Sequence, residues 1–283
     1  MNSVDSTAGS IIGGAAAVVT VVHGRHDHLR RQLGSLARGT VRADHVVVAM
    51  GDPGVASVAA GHDGVRVVEM PADRATLPLA AARNLGARTA LEGGATTLVF
   101  LDVDCLAAPD LVEAYARAVD RFPETVWSGP VTYLPPGLDE RRLARPWDLD
   151  APHPARPAPR RGELAHDADP DLFWSLSFAV ARDAWARSGG FCEEYVGYGG
   201  EDTDFARQAA ASGLGFGWVG DARAYHQHHP TQDPPVQHLD AILRNGALFH
   251  RRWGEWPMGG WLEDFERLGL VEREGSGWRR PAA

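Results

Sequence analysis

The chain has 283 residues and carries 37 acidic side chains against 28 arginines, with no lysine, so its formal net charge is -9. The absence of lysine excludes Schiff-base and pyridoxal-phosphate enzymes, Walker-A NTPases and protein kinases, because each of these classes depends on a lysine amine. The negative net charge argues against a nucleic-acid-binding protein, since no global basic field would attract a phosphate backbone.

The first half of the chain alternates between short apolar runs and helical patterns. Apolar runs at residues 15–22, 45–50, 65–68 and 97–101 predict buried strands, and the alanine- and leucine-rich residues 77–91 predict a helix. Strands that alternate with helices indicate an α/β fold with a mostly parallel sheet flanked by helices in a single domain.

The second half begins with a change of composition at residues 134–170, which are rich in proline and arginine and lack a sustained period. This stretch predicts an irregular excursion or a mobile loop. A strand at residues 173–181 and helices at 201–211 and 240–249 follow, and a tryptophan-rich tail ends in an amphipathic helix.

The two cysteines, Cys105 and Cys192, are too few for a disulfide framework, and we expect buried thiols in a reducing compartment. The longest apolar stretch, residues 11–22, is too short to span a bilayer, and residues 1–10 lack the positive charges of a signal peptide. These features predict a cytoplasmic protein without a transmembrane segment.

Two acids, Asp102 and Asp104, follow directly after the apolar run at residues 97–101. Ligands bind at the carboxyl ends of strands in open parallel sheets, and two carboxylates separated by one residue can converge on a divalent cation or a ribose. The alternative is a turn or helix N-cap ahead of residues 109–110, and spacing alone does not separate the two.

A second acidic cluster contains Glu201, Asp202 and Asp204 at the start of a predicted helix, directly after a glycine-rich stretch with Tyr195 and Tyr198. Capping and the helix dipole account for one or two of these acids. The glycines suit a loop that lets a substrate approach the backbone, where a carboxylate can deprotonate a hydroxyl nucleophile.

A third cluster contains His226, His228 and His229. Histidines at alternate positions, 226 and 228, share one face of an extended segment and can complete a Mn²⁺ or Zn²⁺ shell alongside carboxylates. The alternative is a solvated polar loop.

These pieces, in this order, resemble the GT-A glycosyltransferases of family 2, particularly those whose C-terminal region is related to the galactosyltransferases. The resemblance covers residues 15–249 and rests on four stretches, VVTVVHGR, LAAARNLGA, FLDVDCL and GGFCEEYVGYGGEDTDFARQA. It implies a UDP-sugar donor, a divalent metal such as Mn²⁺ or Mg²⁺, inversion at the anomeric carbon, and a galactose-type hexose.

The resemblance also assigns donor-side residues. His23 and Arg25 flank the nucleotide, and Asp52 takes the place of the acid that contacts the base. Arg83 and Asn84 match the ARN motif that lines the donor site.

The acids and histidines receive roles in the same way. Asp102 contacts the ribose or a metal-bound water, and Asp104 and His226 ligate the metal, with Asp102 and His228 as further metal candidates. Asp202 matches the general base, and Glu201 helps to hold the acceptor or donor sugar.

Tyr198 stands where the galactosyltransferases commonly have a sugar-stacking tryptophan, and the adjacent Gly200 is expected to contact sugar or acceptor. The acceptor is expected to be a hydroxyl of a glycan, a lipid-linked sugar or a small molecule.

The expected organisation has five parts: a flexible N-terminus (1–14), a nucleotide-sugar-binding half (15–133), the excursion (134–170), a catalytic and acceptor half (171–250) and a tryptophan-rich tail (251–283).

Two alternatives stay open. A nucleotidyltransferase also binds nucleotide and metal at strand ends, but it usually opens with a glycine-rich loop, and VVHGRHDH has one glycine. A degenerate domain would bind glycan or a partner through Trp253, Trp256 and Trp261, which are otherwise expected to be core residues.

Overall fold

The computed structural model describes residues 15–281, so the predicted flexible N-terminus at residues 1–14 lies outside the described residues. The first half contains the predicted strands and helices and one further short helix. The bounds are β1 Ala16–Val22, α1 His26–Leu36, β2 Asp44–Met50, α2 Gly54–Ala59, β3 Val65–Met70, α3 Leu79–Glu92 and β4 Thr97–Leu101.

The rest of the described chain adds shorter strands and six α-helices. The bounds are β5 Cys105–Ala107, α4 Leu111–Arg121, β6 Thr125–Ser128, β7 Val131–Tyr133, α5 Glu140–Leu143, β8 Leu164–Ala165, β9 Ser177–Ala181, α6 Arg182–Ser188, α7 Glu201–Ala211, β10 Gly215–Val219, β11 Ala224–His226, α8 Leu239–Trp253, α9 Gly259–Arg267, β12 Glu272–Glu274 and β13 Gly277–Arg279. The last two strands form a separate antiparallel hairpin.

An eight-stranded sheet lies at the centre of the molecule, with the strand order β3-β2-β1-β4-β9-β6-β10-β8. The strands β1 to β4 are parallel to one another, and β10 is parallel to β6. The strand β9 runs antiparallel between β4 and β6, and β8 adds an antiparallel edge. The prediction of a mostly parallel α/β sheet is therefore confirmed.

Helix α3 packs closely on this sheet because Gly86 has no side chain. A Cβ atom at Gly86 would lie 2.4 Å from Val19 Cγ1 on β1, so glycine allows the helix backbone to approach the strand. This close packing fixes the position of Arg83, one helical turn earlier on α3.

A small second sheet, with the order β5-β11-β7, lies beside the main one and brings distant motifs together. Its register pairs His226 with Cys105, and the backbone N–H of Gln227 donates to the carbonyl of Asp104 at 2.7 Å. The third histidine cluster is thus placed beside the acids that follow β4.

The excursion at residues 134–170 is mostly irregular, and it is hydrogen-bonded to the rest of the described chain. His153 N donates to the Val131 carbonyl at 2.9 Å, and the Arg223 guanidinium pairs with Asp150 at 2.8 Å. At its end β8 joins the main sheet beside β10.

Cys105 is buried and Cys192 is half-buried, and both are free thiols. Among the helices within residues 15–281, none combines the length and apolar character needed to cross a membrane.

Candidate active site

A cleft of about 1310 Å³ opens at the carboxyl ends of β1 and β4. It is lined by eleven of the residues singled out from the sequence, namely His23, Arg25, Arg83, Asp102, Asp104, Tyr198, Gly200, Glu201, Asp202, His229 and Trp261. The parallel strands β1 and β4 are neighbours, so the residues that follow them meet at one edge of the sheet.

The loop after β1 is held against the end of β2. The His23 Nδ1 atom lies 2.7 Å from the Met50 carbonyl oxygen, and the Gly24 N–H donates to Asp52 at 2.8 Å. The Asp52 carboxylate also contacts His26 Nε2 at 2.8 Å and accepts from the Gly54 N–H at 3.0 Å. Asp52 therefore fixes this loop, and it lies behind the residues that line the cleft.

These contacts set the charge of Asp52. Burial raises the pKa of this carboxyl, but the hydrogen bonds from His26, Gly24 and Gly54 outweigh burial and hold the pKa below its ordinary value. Asp52 is thus an anion with its oxygens engaged by protein donors.

Arg83 connects two of the predicted acids at the base of the cleft. Its guanidinium donates to Asp102 Oδ1 at 3.1 Å and to Glu201 Oε1 at 3.2 Å, and its Cζ atom lies 5.2 Å from the centroid of the Phe191 ring. The Arg83 side chain is 6% exposed and that of Glu201 is 9% exposed. A buried guanidinium with two carboxylates keeps all three groups oriented.

The adjacent Asn84 points elsewhere. Its side-chain amide donates to the Phe191 carbonyl at 2.8 Å and accepts from the Phe191 N–H at 2.9 Å. The structure therefore does not bring Asn84 into the cleft, and its contacts hold the chain that leads into the glycine-rich stretch.

The turn that carries Asp102 and Asp104 is fixed from below by Gln32, which is fully buried. Gln32 Nε2 donates to the carbonyls of Asp102 at 2.7 Å and Cys105 at 3.1 Å, and Gln32 Oε1 accepts from the Thr20 hydroxyl at 3.0 Å. Sequence reasoning missed Gln32, because its role depends on a contact between α1 and a turn some 70 residues later.

Asp104 lies at the centre of a second group of side chains. His226 Nε2 is 3.4 Å from Asp104 Oδ1, while His229 Nε2 at 3.4 Å and Arg25 Nη1 at 3.2 Å face Asp104 Oδ2. Burial raises the pKa of Asp104, but His229, His226 and Arg25 outweigh burial and lower it to about 2. Asp104 is therefore a stable anion.

The donor set around Asp104 fits a divalent cation. One atom each from Asp104, His226 and His229 lies within 4.8 Å of the others. Asp104 Oδ1 is buried and accepts no hydrogen bond from any of residues 15–281, so its lone pairs are free to coordinate a cation. A carboxylate with two imidazoles suits Mn²⁺ or Zn²⁺.

The structure does not place His226 and His228 on one face of an extended segment, as their alternate positions predicted. Strand β11 ends at His226, so the period of two stops there, and the following turn directs His229 toward Asp104. His228 is exposed and does not belong to the group around Asp104. The spacing of three residues between His226 and His229 was a signal in the sequence, but its meaning depended on where the strand ends.

The predicted acid pair lies at the N-terminus of α7, where Gly200 caps the helix with φ 89°. Burial and the charge of Asp202 raise the pKa of Glu201 to about 7, although Arg83 opposes the shift. Burial also raises the pKa of Asp202, against the Thr203 N–H and Arg83. Both carboxyls face the cleft.

Tyr198 stands at the rim of the cleft, and the residue is 38% exposed. The ring stacks on His238, with centroids 4.5 Å apart, and lies 5.8 Å from the centroid of Trp261. All three tail tryptophans considered as a sugar platform pack against hydrophobic clusters, and of the three Trp261 also lines the cleft.

Comparison with known families supports a glycosyltransferase. Residues 169–230, which contain the glycine-rich stretch and the acid pair, match the family model described as the N-terminal domain of galactosyltransferase. Two curated proteins from Streptomyces hygroscopicus, subspecies limoneus and subspecies jinggangensis (strain 5008), are both named validoxylamine A glucosyltransferase. Each is 31% identical over 223 residues, which cover 70% of this chain and 48% or 52% of the relative. The chain thus spans about half the length of these relatives.

Solved structures share the fold at low sequence identity. The crystal structure of S. aureus TarS 1-349 in complex with UDP-GlcNAc has a TM-score of 0.60 and 11% identity, and the match covers 88% of this chain and 75% of TarS 1-349. The crystal structure of GalNAc-T7 with UDP, GalNAc and Mn²⁺ has a TM-score of 0.57 and 15% identity, and covers 81% of this chain and 47% of GalNAc-T7. Membership of family 2 stays a prediction, but the resemblance to galactosyltransferases and the GT-A fold are confirmed: this chain has the GT-A fold and is similar to known glycosyltransferases.

Proposed function

We propose that this protein is an inverting, metal-dependent glycosyltransferase that moves a hexose from a UDP-sugar to an acceptor hydroxyl. The observation that carries the proposal is the convergence of two distant acidic motifs, around Asp104 and Asp202, in one cleft. The similarity to named glycosyltransferases supports the reaction class, and the UDP and UDP-GlcNAc bound by structural neighbours support the donor class.

Asp202 is proposed as the general base. Its Oδ1 atom accepts from the Thr203 N–H at 2.8 Å, while Oδ2 accepts no hydrogen bond from the described part of the chain and is free to meet an acceptor. As the acceptor oxygen attacks the anomeric carbon, its proton passes to Asp202, and the bond from that carbon to the β-phosphate oxygen breaks. UDP then leaves from the opposite face of the sugar, which inverts the anomeric centre.

Arg83 and Glu201 are proposed to position the reacting groups. Arg83 is held from both sides by Asp102 and Glu201, so the Glu201 carboxylate is fixed next to Asp202. The charge of Arg83 also favours the ionised form of Asp202, which a base must have before it accepts a proton.

Asp104, His226 and His229 would hold the divalent cation, for which Mn²⁺ and Mg²⁺ are the candidates. When bound, such a cation stabilises the negative charge that develops on a departing diphosphate. Two imidazole ligands favour Mn²⁺, since Mg²⁺ prefers oxygen ligands. His23 and Arg25, at the end of β1, are proposed to flank the nucleotide.

The hexose is proposed to be galactose or glucose. The family matched by residues 169–230 favours galactose, which the motifs also predicted, whereas the named activity of the 31%-identical relatives favours glucose. Hexose choice depends on a few hydrogen bonds to the sugar, so UDP-galactose and UDP-glucose belong in the same donor screen.

The test is Asp202→Asn, compared with the wild type and with Asp183→Asn, an exposed acid in the first turn of α6. UDP release from UDP-galactose and UDP-glucose is measured with Mn²⁺, and donor binding is measured by calorimetry. We expect Asp202→Asn to lose at least about 100-fold in turnover, the lower range for a general base, while its donor Kd changes less than about threefold. A fully active Asp202→Asn variant would remove Asp202 from the reaction. If the wild type is equally active with and without excess chelator, the reaction does not depend on a metal.

A further inference from the structure

Arg156, in the excursion, is a buried cation whose guanidinium has no hydrogen-bond partner in the described part of the chain. The residue is 6% exposed, and its Nε, Nη1 and Nη2 atoms are all buried with no acceptor among residues 15–281. Burial lowers the pKa of this guanidinium. Leaving a buried charge without a partner disfavours folding, so Arg156 calls for an explanation other than stability.

The contacts of Arg156 are aromatic. Its Cζ atom lies 4.7 Å from the centroid of Trp218, a buried residue of β10, and 5.0 Å from the centroid of Trp174. A guanidinium at these distances is attracted to the negative face of an indole ring. Arg156 therefore links Trp174, which lines the cleft, to the core of the main sheet.

Trp174 belongs to a row of rings along one side of the cleft, which we name the aromatic wall and define as Tyr133, His153 and Trp174. The His153 ring lies 5.5 Å from Trp174 and 5.3 Å from Tyr133. Tyr133 in turn stacks on His226 at 4.6 Å, so the wall begins at the candidate metal group. Tyr133 is 44% exposed, although its side chain is large and aromatic.

We propose that the aromatic wall is an acceptor subsite for a neutral polyhydroxylated ring, such as a sugar, and that Arg156 is the positioning residue that holds Trp174 in it. The proposal rests on the proposed function, because the wall needs a donor site beside it. Flat rings next to a cleft suit the apolar C–H face of a sugar, which meets the negative face of the aromatic system.

The acids of the cleft support a neutral ligand. Asp102, Glu201 and Asp202 line the same cleft, and their negative charge disfavours an acceptor that carries a carboxylate or a phosphate near the base. The hydroxyls of a neutral sugar can donate to these carboxylates while the C–H face lies on the wall.

The variant Arg156→Met tests whether Arg156 positions Trp174 or only fills space in the interior. If Arg156 only fills space, methionine keeps the volume, removes an unpaired charge and leaves ligand binding unchanged. If Arg156 positions Trp174, the variant keeps or gains thermal stability but loses affinity for the acceptor ring. Trp174→Ala removes the wall directly, and Trp174→Phe keeps a ring in place.

The excursion offers a matched control in Arg145 and Trp147, whose guanidinium and ring lie 6.0 Å apart. Neither residue lines the cleft. Arg145→Met and Trp147→Ala therefore disturb the same kind of contact in the same segment away from the cleft.

The experiment uses the full chain with Mn²⁺ and UDP, and titrates the methyl glycosides of glucose, galactose and N-acetylglucosamine. Saturation-transfer NMR detects contact between protein aromatic protons and the sugar C–H protons, calorimetry gives the Kd of UDP-galactose and UDP-glucose, and Tm is measured for every variant.

We expect Trp174→Ala and Arg156→Met to weaken glycoside binding about tenfold or more, Trp174→Phe to retain most of it, and both control variants to match the wild type. UDP-sugar Kd values should stay within about twofold throughout, because the substituted residues, Trp174 and Arg156, make no ring, hydrogen-bond or ion-pair contact with the residues proposed for the nucleotide or the metal. Wild-type protein that binds none of the glycosides, or a Trp174→Ala variant that binds them normally, would overturn the subsite. Normal glycoside binding by Arg156→Met would overturn the positioning role, whereas wild-type protein that binds no UDP-sugar would overturn the proposed function itself.

Discussion

Replacing Arg83 by methionine tests the buried network at the base of the cleft. Arg83 is 5% exposed and donates to Asp102 at 3.1 Å and to Glu201 at 3.2 Å. Methionine keeps an unbranched side chain in the same space but removes the charge and all five N–H donors. Two buried carboxylates then lose the cation that they share.

The expected loss of stability is about 3–5 kcal/mol, because removing one partner of a buried ion pair leaves an uncompensated charge. For a chain of this size, that loss corresponds to a decrease in Tm of roughly 6–20 °C. The matched control is Arg117→Met, which breaks the exposed pair with Glu113 on α4 and should cost only about 0.3–0.5 kcal/mol.

The sign of the pH dependence follows from Glu201. Its pKa in the folded protein is about 7, above the ordinary value of 4.5, so between these values the folded state binds protons that the unfolded chain has released. The free energy of unfolding therefore falls as pH rises through this window and levels off above pH 7. Without Arg83 the pKa of Glu201 rises further, and the fall continues above pH 7. The stability difference between wild type and Arg83→Met should accordingly be larger at pH 8.5 than at pH 6.5.

Urea unfolding followed by tryptophan fluorescence at the two pH values measures this difference. A double variant, Arg83→Met with Glu201→Gln, should recover part of the loss, since glutamine has no charge to leave unpaired. A loss below about 1 kcal/mol that is equal at both pH values would refute the reasoning, because it would show that the network contributes no more than a surface pair.

Three further outcomes are expected around the cleft. We expect kcat/KM of the wild type to rise through about pH 7 as Glu201 ionises, and we expect this rise to be absent from the pH profile of Glu201→Gln; an unchanged profile would contradict a role for that ionisation. Asp104→Ala should abolish Mn²⁺ binding measured by electron paramagnetic resonance, because it removes the carboxylate that His226 and His229 surround; unchanged Mn²⁺ affinity would contradict this site. Asn84→Ala should lower stability by about 1–3 kcal/mol, by breaking two bonds to the Phe191 backbone, while the UDP-sugar Kd stays within about threefold; a donor-selective defect would instead place Asn84 in the donor site.

The sequence was sufficient for features that depend on short-range pattern. The strand ends that carry His23 and Asp102 follow largely apolar runs, and α7 begins at Glu201 as its pattern predicts. Helix α4 was not predicted, although Leu111, Tyr115 and Ala118 recur at helical spacing and are buried in the structure. The helical spacing of α4 was therefore already present in the sequence.

Other features depend on contacts that local pattern does not contain. The pairing of Arg83 with Glu201 joins residues 118 positions apart, and the approach of His229 to Asp104 depends on the register between β11 and β5. The ring contacts of Arg156 likewise require two segments of the chain to fold against each other. Residue type suggested the chemistry of these groups, but the partners are set by tertiary packing.

The absence of lysine now has a structural counterpart in three arginines around the cleft, each in a setting that suits a guanidinium. Arg83 donates from two nitrogens to two carboxylates, and the Arg156 guanidinium lies against two indole rings with no hydrogen-bond acceptor in the described part of the chain. A planar, weakly hydrated cation tolerates both environments, whereas a compact ammonium would lose more hydration energy on burial and can lose its charge there.

Arg25 is the third of these arginines. It meets Asp104 at Oδ2 and leaves Oδ1 without a hydrogen bond, so a divalent cation can use Oδ1 while the arginine stays on the other oxygen. A metal and an arginine can thus share one carboxylate, and in the proposed reaction both would face the diphosphate of the donor. Together they would supply the positive charge for which many phosphate-handling enzymes use lysine.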